Sequence, residues 1–322
     1  MKKKLLKSIL PIIAACFCLY FVIPQNPASS SGELIVHFLD VGQADCTLLE
    51  QGGKFMLIDG GNVADSSLVV SYLQKVGVES LEAVVCSHAH EDHVGGLSGV
   101  LAVFPTAAVY APTKTYSSKC FDDFLYYADQ QRLDIVIPNP GDTFPLGSAT
   151  ATILGPVKSY ADPNDTSIVL RVDFGNTRFL FTGDMETTAE NDLLDAGANV
   201  KADVLKVGHH GSNTSTGYRF LRQVDPKYAI ISVGANNDYG HPHEEPLSRL
   251  RDADVTVYRT DDSGTILATS DGTNITFALN NRSASKTFFS HSEKKVFLAF
   301  SPETLVILLN YRIFALAKII EM

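Results

Sequence analysis

Short apolar runs alternate with helical patterns along most of this chain. Residues 66–76 place apolar side chains three and four positions apart, which predicts an amphipathic helix, and similar patterns occur at 94–103 and 186–196. Runs of four to eight mostly apolar residues predict β-strands. These runs lie at 34–40, 46–50, 54–59, 81–87, 167–174, 177–181, 203–207, 228–233, 255–258, 265–269 and 275–279. Strands in both halves with helices between them favour two sheets flanked by helices.

The two ends of the chain depart from this pattern. Residues 1–31 contain four lysines, then an apolar stretch and a Pro/Ser-rich stretch, which is the order of an export signal. A lipidated or membrane-retained anchor is the alternative, and each outcome would place the domain at 32–280 outside the cytoplasm, secreted or on the outer face of the membrane. We expect residues 281–322 to form an atypical tail outside this domain.

Composition excludes several classes of protein. With 45% hydrophobic and 19% charged residues, the 322-residue chain can bury a sizeable core and is neither disordered nor fibrous. Residues 32–280 carry 16 Lys and Arg against 33 Asp and Glu, a net charge of −17, which excludes a protein that coats nucleic acid by neutralising phosphates. Five cysteines without a CxxC motif exclude a disulfide scaffold and a Cys-rich zinc site.

Histidines are concentrated in three short segments. Seven of the nine lie within residues 88–93, 209–210 and 241–243. The first segment directly follows the apolar strand predicted at 81–87. Histidines that only fill a core would be scattered, so this clustering indicates a shared ligand.

The first histidine segment has the residue types and spacing of a metal site. His88 and His90 are two positions apart and point to the same side of an extended chain, whereas Asp92 and His93 follow a bend and can face a second point nearby. Imidazole nitrogen combined with carboxylate oxygen is typical of zinc ligation. Four polar groups at the end of a buried strand are costly without a shared partner, which disfavours a solvated loop.

The pattern HxHxDHxGG at residues 88–96 resembles the signature of the metallo-β-lactamase fold. Further segments are similar to the branch typified by the extracytoplasmic hydrolase domain of the competence protein ComEC. These segments are FLDVGQAD (38–45), LIDGG (57–61), SIVLR (167–171), FTGD (181–184), LKVGHHGS (205–212) and GHP (240–242). The resemblance covers residues 33–280 and implies a four-layer αββα sandwich with two metal ions at one edge of its sheets.

The resemblance also implies a set of metal ligands. His88 and His90 would hold one ion, and Asp92 and His93 would hold the other. Asp184, at the end of its predicted strand, would bridge the two ions. Zinc is the expected metal for these ligands.

His209 or His210 should complete the second site. Neighbours on an extended chain point in opposite directions, so one side chain would bind metal while the other lines the pocket. We favour His210 as the ligand. The first site departs from the general superfamily, because no histidine lies between residues 94 and 208. Asp165, or alternatively Asn164, would take that place, and an oxygen-richer site would allow manganese to compete with zinc.

Other polar residues have more ordinary interpretations. Asp59 is expected to orient the histidine loop through hydrogen bonds. Asp40 and Asp45 have the same interpretation, with loop capping as the alternative. His241 is expected either in the pocket as an acid or anion contact or in a surface turn, and His37 is expected to be structural.

The predicted metal pair indicates hydrolysis. Two close cations favour a bridging hydroxide near neutral pH and can stabilise both the attacking and the leaving oxygen of a phosphodiester. Asp92, His209 and His241 are the candidate catalytic residues, and His209 or His241 would protonate the leaving group.

Three functions compete on these grounds. The first is an exported phosphodiesterase or nuclease, as the ComEC resemblance implies, acting on short or single-stranded DNA through the metals and nearby groups such as Lys206 and Arg171. The second is hydrolysis of another bond, such as a phosphocholine ester, a lactone or a β-lactam. The third is a binding module without catalysis. The N-terminal segment allows a membrane association, and the sequence indicates no protein partner.

Overall fold

Two β-sheets lie at the centre of the protein in the computed structural model, which describes residues 32–279. The strands are β1 (Leu34–Phe38), β2 (Thr47–Gln51), β3 (Lys54–Ile58), β4 (Ala83–Val85), β5 (Val109–Tyr110), β6 (Ile135–Val136), β7 (Thr143–Leu146), β8 (Ala149–Gly155), β9 (Val169–Phe174), β10 (Thr177–Phe181), β11 (Val204–Lys206), β12 (Tyr228–Ile231), β13 (Thr256–Arg259), β14 (Ile266–Ser270) and β15 (Ile275–Leu279). One sheet has eight strands in the order β15-β14-β1-β2-β3-β4-β5-β6. The other has seven strands in the order β13-β12-β11-β10-β9-β8-β7.

Helices cover the outer face of each sheet. The helices are α1 (Ser66–Val76), α2 (Glu91–Val94), α3 (Leu97–Val103), α4 (Lys119–Gln130), α5 (Thr187–Asp195), α6 (Tyr218–Val224), α7 (Glu244–Asp252) and α8 (Thr260–Ser263). Short 3-10 helices occur at Val63–Asp65, Asn164–Thr166 and Gly208–Gly211. Among the described residues, no helix has the length and apolar character needed to span a membrane.

Alternate residues of the strands face different hydrophobic layers. Phe179 and Phe181 of β10 pack between the two sheets, whereas Leu180 faces the helices outside the second sheet. In β4, Val85 packs between the sheets and Val84 faces the helices outside the first sheet. Because successive side chains of a strand point to opposite faces, continuous apolar runs bury both faces of each sheet. The predicted four-layer αββα sandwich is confirmed.

Parallel strand pairs bring the candidate site residues to one region. In the first sheet β3 and β4 are parallel, and in the second β10, β11 and β12 are parallel. Asp59 follows β3, the segment 88–93 follows β4, Asp184 follows β10 and the segment 209–210 follows β11. The carboxyl ends of parallel strands meet at the same edge of a sheet, so each sheet presents its site residues together.

Most of the predicted elements occur close to their predicted positions, but the structure differs from the prediction in two places. The helix predicted at 94–103 is split into α2 and α3, because the backbone at Gly95 and Gly96 passes directly against another loop. A Cβ atom on Gly96 would overlap the carbonyl oxygen of Gly60. No element was predicted between 104 and 166, where β5 to β8 and α4 lie. The predictions for residues 1–31 and 281–322 fall outside the described residues.

Candidate metal centre

Four side chains from three loops converge where the two sheets meet. One ligand atom from each of Asp92, His93, Asp184 and His210 lies within 4.8 Å of all the others. His93, Asp184 and His210 are buried, and Asp92 is partly exposed. Asp92, His93 and Asp184 are the residues that the ComEC resemblance assigns to the second metal ion and its bridge, and His210 is the favoured one of the two histidines expected to complete that site.

Two buried atoms of this group lack the hydrogen bonds that such atoms normally make. Nε2 of His93 and Oδ1 of Asp184 lie 3.2 Å apart, yet neither has a hydrogen-bond partner. Buried polar atoms without partners are rare in folded proteins and need an explanation. A divalent cation between them would satisfy both atoms, since neutral imidazole nitrogen and carboxylate oxygen are suitable ligands.

The electrostatic environment of the group also favours a cation. Burial by itself would lower the pKa of His210, but the carboxylates of Asp184 and Asp45 overcome this effect and raise it to about 10. The pKa of His93 is likewise raised well above its ordinary value, chiefly by Asp184 and Asp59 acting against burial. Excess negative charge therefore surrounds both rings, and these residues fit a bound divalent ion.

His88 and His90 lie next to the carboxylate of Asp184, the predicted bridge. Nε2 of His88 is 3.1 Å from Nδ1 of His90 and 3.9 Å from Oδ2 of Asp184. Burial, together with positive charge on His93, holds the pKa of His88 well below its usual value. A neutral imidazole is the form that binds a metal. Asp184 thus stands within reach of both predicted halves of the centre.

Asp59 holds the histidine loop from the adjacent strand. Its Oδ1 accepts the backbone N–H of Ser87 at 2.7 Å, and its Oδ2 accepts the Ser87 hydroxyl at 2.7 Å. Oδ2 also lies 2.9 Å from Nδ1 of His93. An Nδ1–H donated to this carboxylate leaves Nε2 of His93 free to bind metal. The hydrogen-bonding role expected of Asp59 is confirmed.

Asp45 and Lys206 form a buried ion pair behind His210. Nζ of Lys206 lies 2.8 Å from Oδ2 of Asp45 and donates to the carbonyl oxygen of Val207. Oδ1 of Asp45 is 3.3 Å from Nδ1 of His210, which donates to the carbonyl oxygen of Ser232 at 3.0 Å. These contacts direct Nε2 of His210 towards Asp92 and Asp184, its neighbours in the candidate metal centre.

The two cations expected to contact DNA are engaged elsewhere, which corrects that prediction. Lys206 is only 2% exposed and is paired with Asp45. Arg171 bonds the carboxylate of Asp173 at 2.9 Å and the carbonyl oxygen of Asn199. Neither side chain is free to bind a phosphate, because each already has an anionic partner within the fold.

His209 and His210 occupy a strained turn instead of an extended strand. Their φ angles are 48° and 51°, in the left-handed region that residues other than glycine rarely adopt. The two side chains therefore do not alternate as they would on the extended strand that was predicted. His210 nevertheless lies in the four-residue group, whereas His209 lies at its edge, with Nε2 3.7 Å from Oδ2 of Asp184 and Nδ1 3.2 Å from Glu186.

Asp165 is directed to a helix terminus. Its Oδ1 accepts the backbone N–H of Glu186 at 3.0 Å, immediately before α5. Within residues 32–279, no group of candidate metal ligands includes Asp165, so its role as a ligand stays a prediction. Asn164, the alternative, has a buried Oδ1 atom without a hydrogen-bond partner.

His241 lies in the pocket, next to the histidine pair. Its ring centroid is 5.6 Å from that of His209 and 6.4 Å from that of His210. Burial, followed by the positive charge of His210, lowers the pKa of His241 to about 4. The ring is therefore neutral near pH 7, which disfavours it as the general acid.

Three site residues were missed by the sequence analysis. Glu186 contacts His209, Gln43 approaches Nδ1 of His241 at 3.3 Å, and Ser87 binds Asp59. Ser87 immediately precedes the first histidine and Gln43 lies within a quoted motif, so both had a positional signal. Glu186 had none, because its contact with His209 forms only when two loops meet.

Comparison with known proteins places this geometry in a family. Residues 39–235 match the family model of the metallo-beta-lactamase superfamily, and the chain belongs to this superfamily. ComE operon protein 3 of Bacillus subtilis is 32% identical over 285 residues, which cover 82% of this chain and 36% of that protein. Recombination protein 2 of Haemophilus influenzae is 35% identical over 239 residues, covering 72% of this chain and 28% of that protein.

These relatives are competence proteins of the ComEC branch, which confirms the resemblance found in the sequence. The chain spans about a third of the length of the curated relatives it matches. Among solved structures, the metallo-beta-lactamase fold protein YhfI from Bacillus subtilis superposes with a TM-score of 0.52 at 13% identity, covering 74% of this chain and all of that one. At this identity the likeness supports the fold alone.

Proposed function

We propose that this chain is a dinuclear-metal hydrolase that cleaves phosphodiesters outside the cytoplasm. The observation that carries the proposal is the position of Asp184, whose carboxylate lies within 4 Å of imidazole nitrogens from His88, His93 and His210. A single buried carboxylate in contact with both halves of the ligand set is the arrangement that a bridged metal pair requires.

The described residues divide naturally into two ligand groups around this bridge. Asp92, His93 and His210 would hold one ion, and His88 with His90 would hold the other. Bound divalent cations supply Lewis acidity towards a phosphoryl oxygen and lower the pKa of a coordinated water. Zinc and manganese both suit a set that mixes imidazole with carboxylate.

His209 is the best-placed proton donor for a leaving oxygen. Its side chain is 23% exposed at the edge of the centre, with Nε2 directed towards Asp184. Glu186, 3.2 Å from Nδ1, can accept a hydrogen bond from Nδ1–H and so orient the ring. When both ring nitrogens carry a proton, His209 can present the proton on Nε2 to a substrate held at the buried ligands.

Hydrolysis of a phosphodiester is favoured over the other ester and amide classes by kinship with competence proteins. Export is supported by the charge and hydropathy pattern of residues 1–31, which is independent of the site. Protease added to intact cells should digest the protein if it lies outside the cytoplasm, and full protection would contradict export.

The function is tested by metal analysis of the purified chain followed by a substrate screen. We expect close to two zinc or manganese ions per chain and turnover of bis-p-nitrophenyl phosphate and of single-stranded DNA, with no turnover of nitrocefin. Asp184→Asn serves as the inactive control. Metal-loaded protein that cleaves only nitrocefin would indicate hydrolysis of another bond, such as a β-lactam. Absence of any metal binding would favour the third function, a binding module without catalysis.

A further inference from the structure

An exposed tyrosine lies against the rings of the candidate metal centre. The Tyr239 side chain is 69% exposed, and its ring stacks on His241 with centroids 5.6 Å apart and planes 25° apart. The His241 ring in turn lies 6.4 Å from the His210 ring, again with planes 25° apart. Tyr239, His241 and His210 therefore form a row of nearly parallel rings that leads from solvent to the metal ligands.

The loop that carries Tyr239 is fixed although the ring itself faces water. Oδ1 of Asn237 accepts the backbone N–H of Tyr239 at 3.1 Å and that of His241 at 3.0 Å. Nδ2 of Asn237 donates to the carbonyl oxygens of Gly234 at 2.9 Å and of His241 at 2.6 Å. Gln43 bonds both the Gly234 N–H and the His241 ring. The backbone that carries Tyr239 and the His241 ring beneath it are thus held in place by hydrogen bonds.

Exposed tyrosines are common, but this one differs in its surroundings. Tyr126 is 57% exposed on the outer helix α4. The aromatic ring that it contacts is that of Tyr127, on the same helix and away from the candidate metal centre. Isolated exposed aromatic residues need no functional explanation. Tyr239 combines exposure, a fixed loop and a stack that continues into a metal ligand, which is the arrangement of a platform for a flat ligand group.

We propose that Tyr239 is the residue that stacks on a nucleobase of the substrate, so that the substrates are nucleotidyl phosphodiesters in single-stranded or short form. This inference rests on the proposed function, because the adjacent phosphate would sit at the metal ligands. Stacking is tolerant of sequence and needs no positive charge on the protein. It therefore suits a domain whose net charge of −17 provides no general attraction for phosphates.

Binding without turnover tests the proposal directly. The full chain, loaded with zinc or manganese, is titrated with a fluorescently labelled phosphorothioate hexathymidylate and with an abasic phosphorothioate of equal length. Fluorescence anisotropy gives the dissociation constant of each. We expect wild-type protein to prefer the thymidylate, and Tyr239→Ala to weaken thymidylate binding about 5- to 100-fold without changing abasic binding.

Two further variants separate stacking from structural effects. Tyr239→Phe keeps the ring and should bind within about twofold of wild type. Tyr126→Ala removes a similarly exposed ring away from the site and should leave the dissociation constants of both ligands unchanged. Equal weakening of both ligands by Tyr239→Ala, or no preference for bases in wild-type protein, would overturn the proposal.

The outcomes also separate this inference from the proposed function. Hydrolysis of bis-p-nitrophenyl phosphate without a preference for bases would uphold the phosphodiesterase and refute the platform. A preference for bases that depends on Tyr239, without hydrolysis of any phosphodiester, would refute the enzyme and leave a binding site for single strands. Thermal unfolding of each variant shows whether a loss of binding reflects a loss of fold.

Discussion

Nζ of Lys206 lies 2.8 Å from Oδ2 of Asp45, and both side chains are almost completely buried. The pair sits behind His210, because Oδ1 of the same carboxylate is 3.3 Å from Nδ1 of that ring. A buried charge that loses its partner is strongly unfavourable, whereas an exposed pair contributes little. The Lys206–Asp45 pair therefore matters for stability and for the orientation of the candidate metal ligand His210.

Lys206→Met should lower the free energy of unfolding by about 3–5 kcal/mol, because it removes the lysine that lies 2.8 Å from the buried Asp45 carboxylate. Urea denaturation of the metal-free chain measures this change. Lys201→Met is the matched control, since Lys201 pairs with Asp225 at 3.0 Å on the exposed surface and should cost less than about 1 kcal/mol. Equal losses in the two variants would contradict this role for the buried pair.

Asp59→Asn should reduce metal affinity about 10- to 100-fold while the fold is retained. An amide nitrogen facing Nδ1 of His93 would donate a hydrogen bond and so favour the tautomer that carries its proton on Nε2, which cannot bind metal. Competition with a chelating dye measures the affinity. Asp173→Asn, which alters a carboxylate on β9 that pairs with Arg171 and Arg178, should bind metal like wild type. An unchanged metal affinity in Asp59→Asn would show that the hydrogen bond between Asp59 and His93 does not contribute to metal binding.

Asp184→Ala should abolish hydrolysis, with a loss greater than the 10- to 100-fold effect expected for an outer hydrogen-bond partner. The substitution removes the carboxylate that contacts both ligand groups. Metal content and turnover of bis-p-nitrophenyl phosphate provide the readouts. His37→Ala, in which the altered side chain contacts Tyr72 in the outer layer, should change stability only. Wild-type turnover by the Asp184 variant would place the active site elsewhere.

Protonation of His37 in the unfolded chain should make a destabilising contribution in mild acid. Burial lowers the pKa of His37 to about 4, below its unfolded value of 6.5. As pH falls below about 6.5, the unfolded chain binds a proton that the folded chain does not, so unfolding becomes more favourable until pH approaches 4. At pH 5 this effect amounts to about 2 kcal/mol.

His37→Phe keeps a ring of similar size and removes the titration. The free energy of unfolding is measured by urea denaturation at pH 7.5 and pH 5.0, in the presence of a chelator. The change in this free energy from pH 7.5 to pH 5.0 should be about 2 kcal/mol more favourable to the folded state in the variant than in the wild type. The same loss in both proteins would assign the acid sensitivity to other groups.

Cleavage of DNA should depend only weakly on salt. The slope of log affinity against log salt is about −0.7 per single-strand phosphate neutralised by a cationic side chain. Lys206 and Arg171 are engaged with Asp45 and Asp173, so they add nothing to this slope. Rates on a short single strand and on bis-p-nitrophenyl phosphate should change together between low and moderate salt. A steep loss for DNA alone would reveal a basic surface that contacts the strand.

Local pattern was sufficient for the elements with strong periodicity. The helix predicted at 66–76 and the strand predicted at 177–181 have those bounds in the structure. Strands β5 and β6 have two residues each, which is too short for any pattern to register. The split between α2 and α3 was also invisible, because it arises from contact of Gly96 with Gly60 in a distant loop.

The sequence by itself determined the fold class and the chemistry of the candidate site. The periodicity of apolar residues predicts which side chains are buried. The spacing of His88, His90, Asp92 and His93 indicates a shared ligand. Tertiary structure alone decided that Lys206 is buried, that Asp165 faces α5 and that Tyr239 stacks on His241. The physical reason is distance along the chain: Asp92 and His210 are 118 residues apart, and only the packing of two sheets brings them to 3.2 Å.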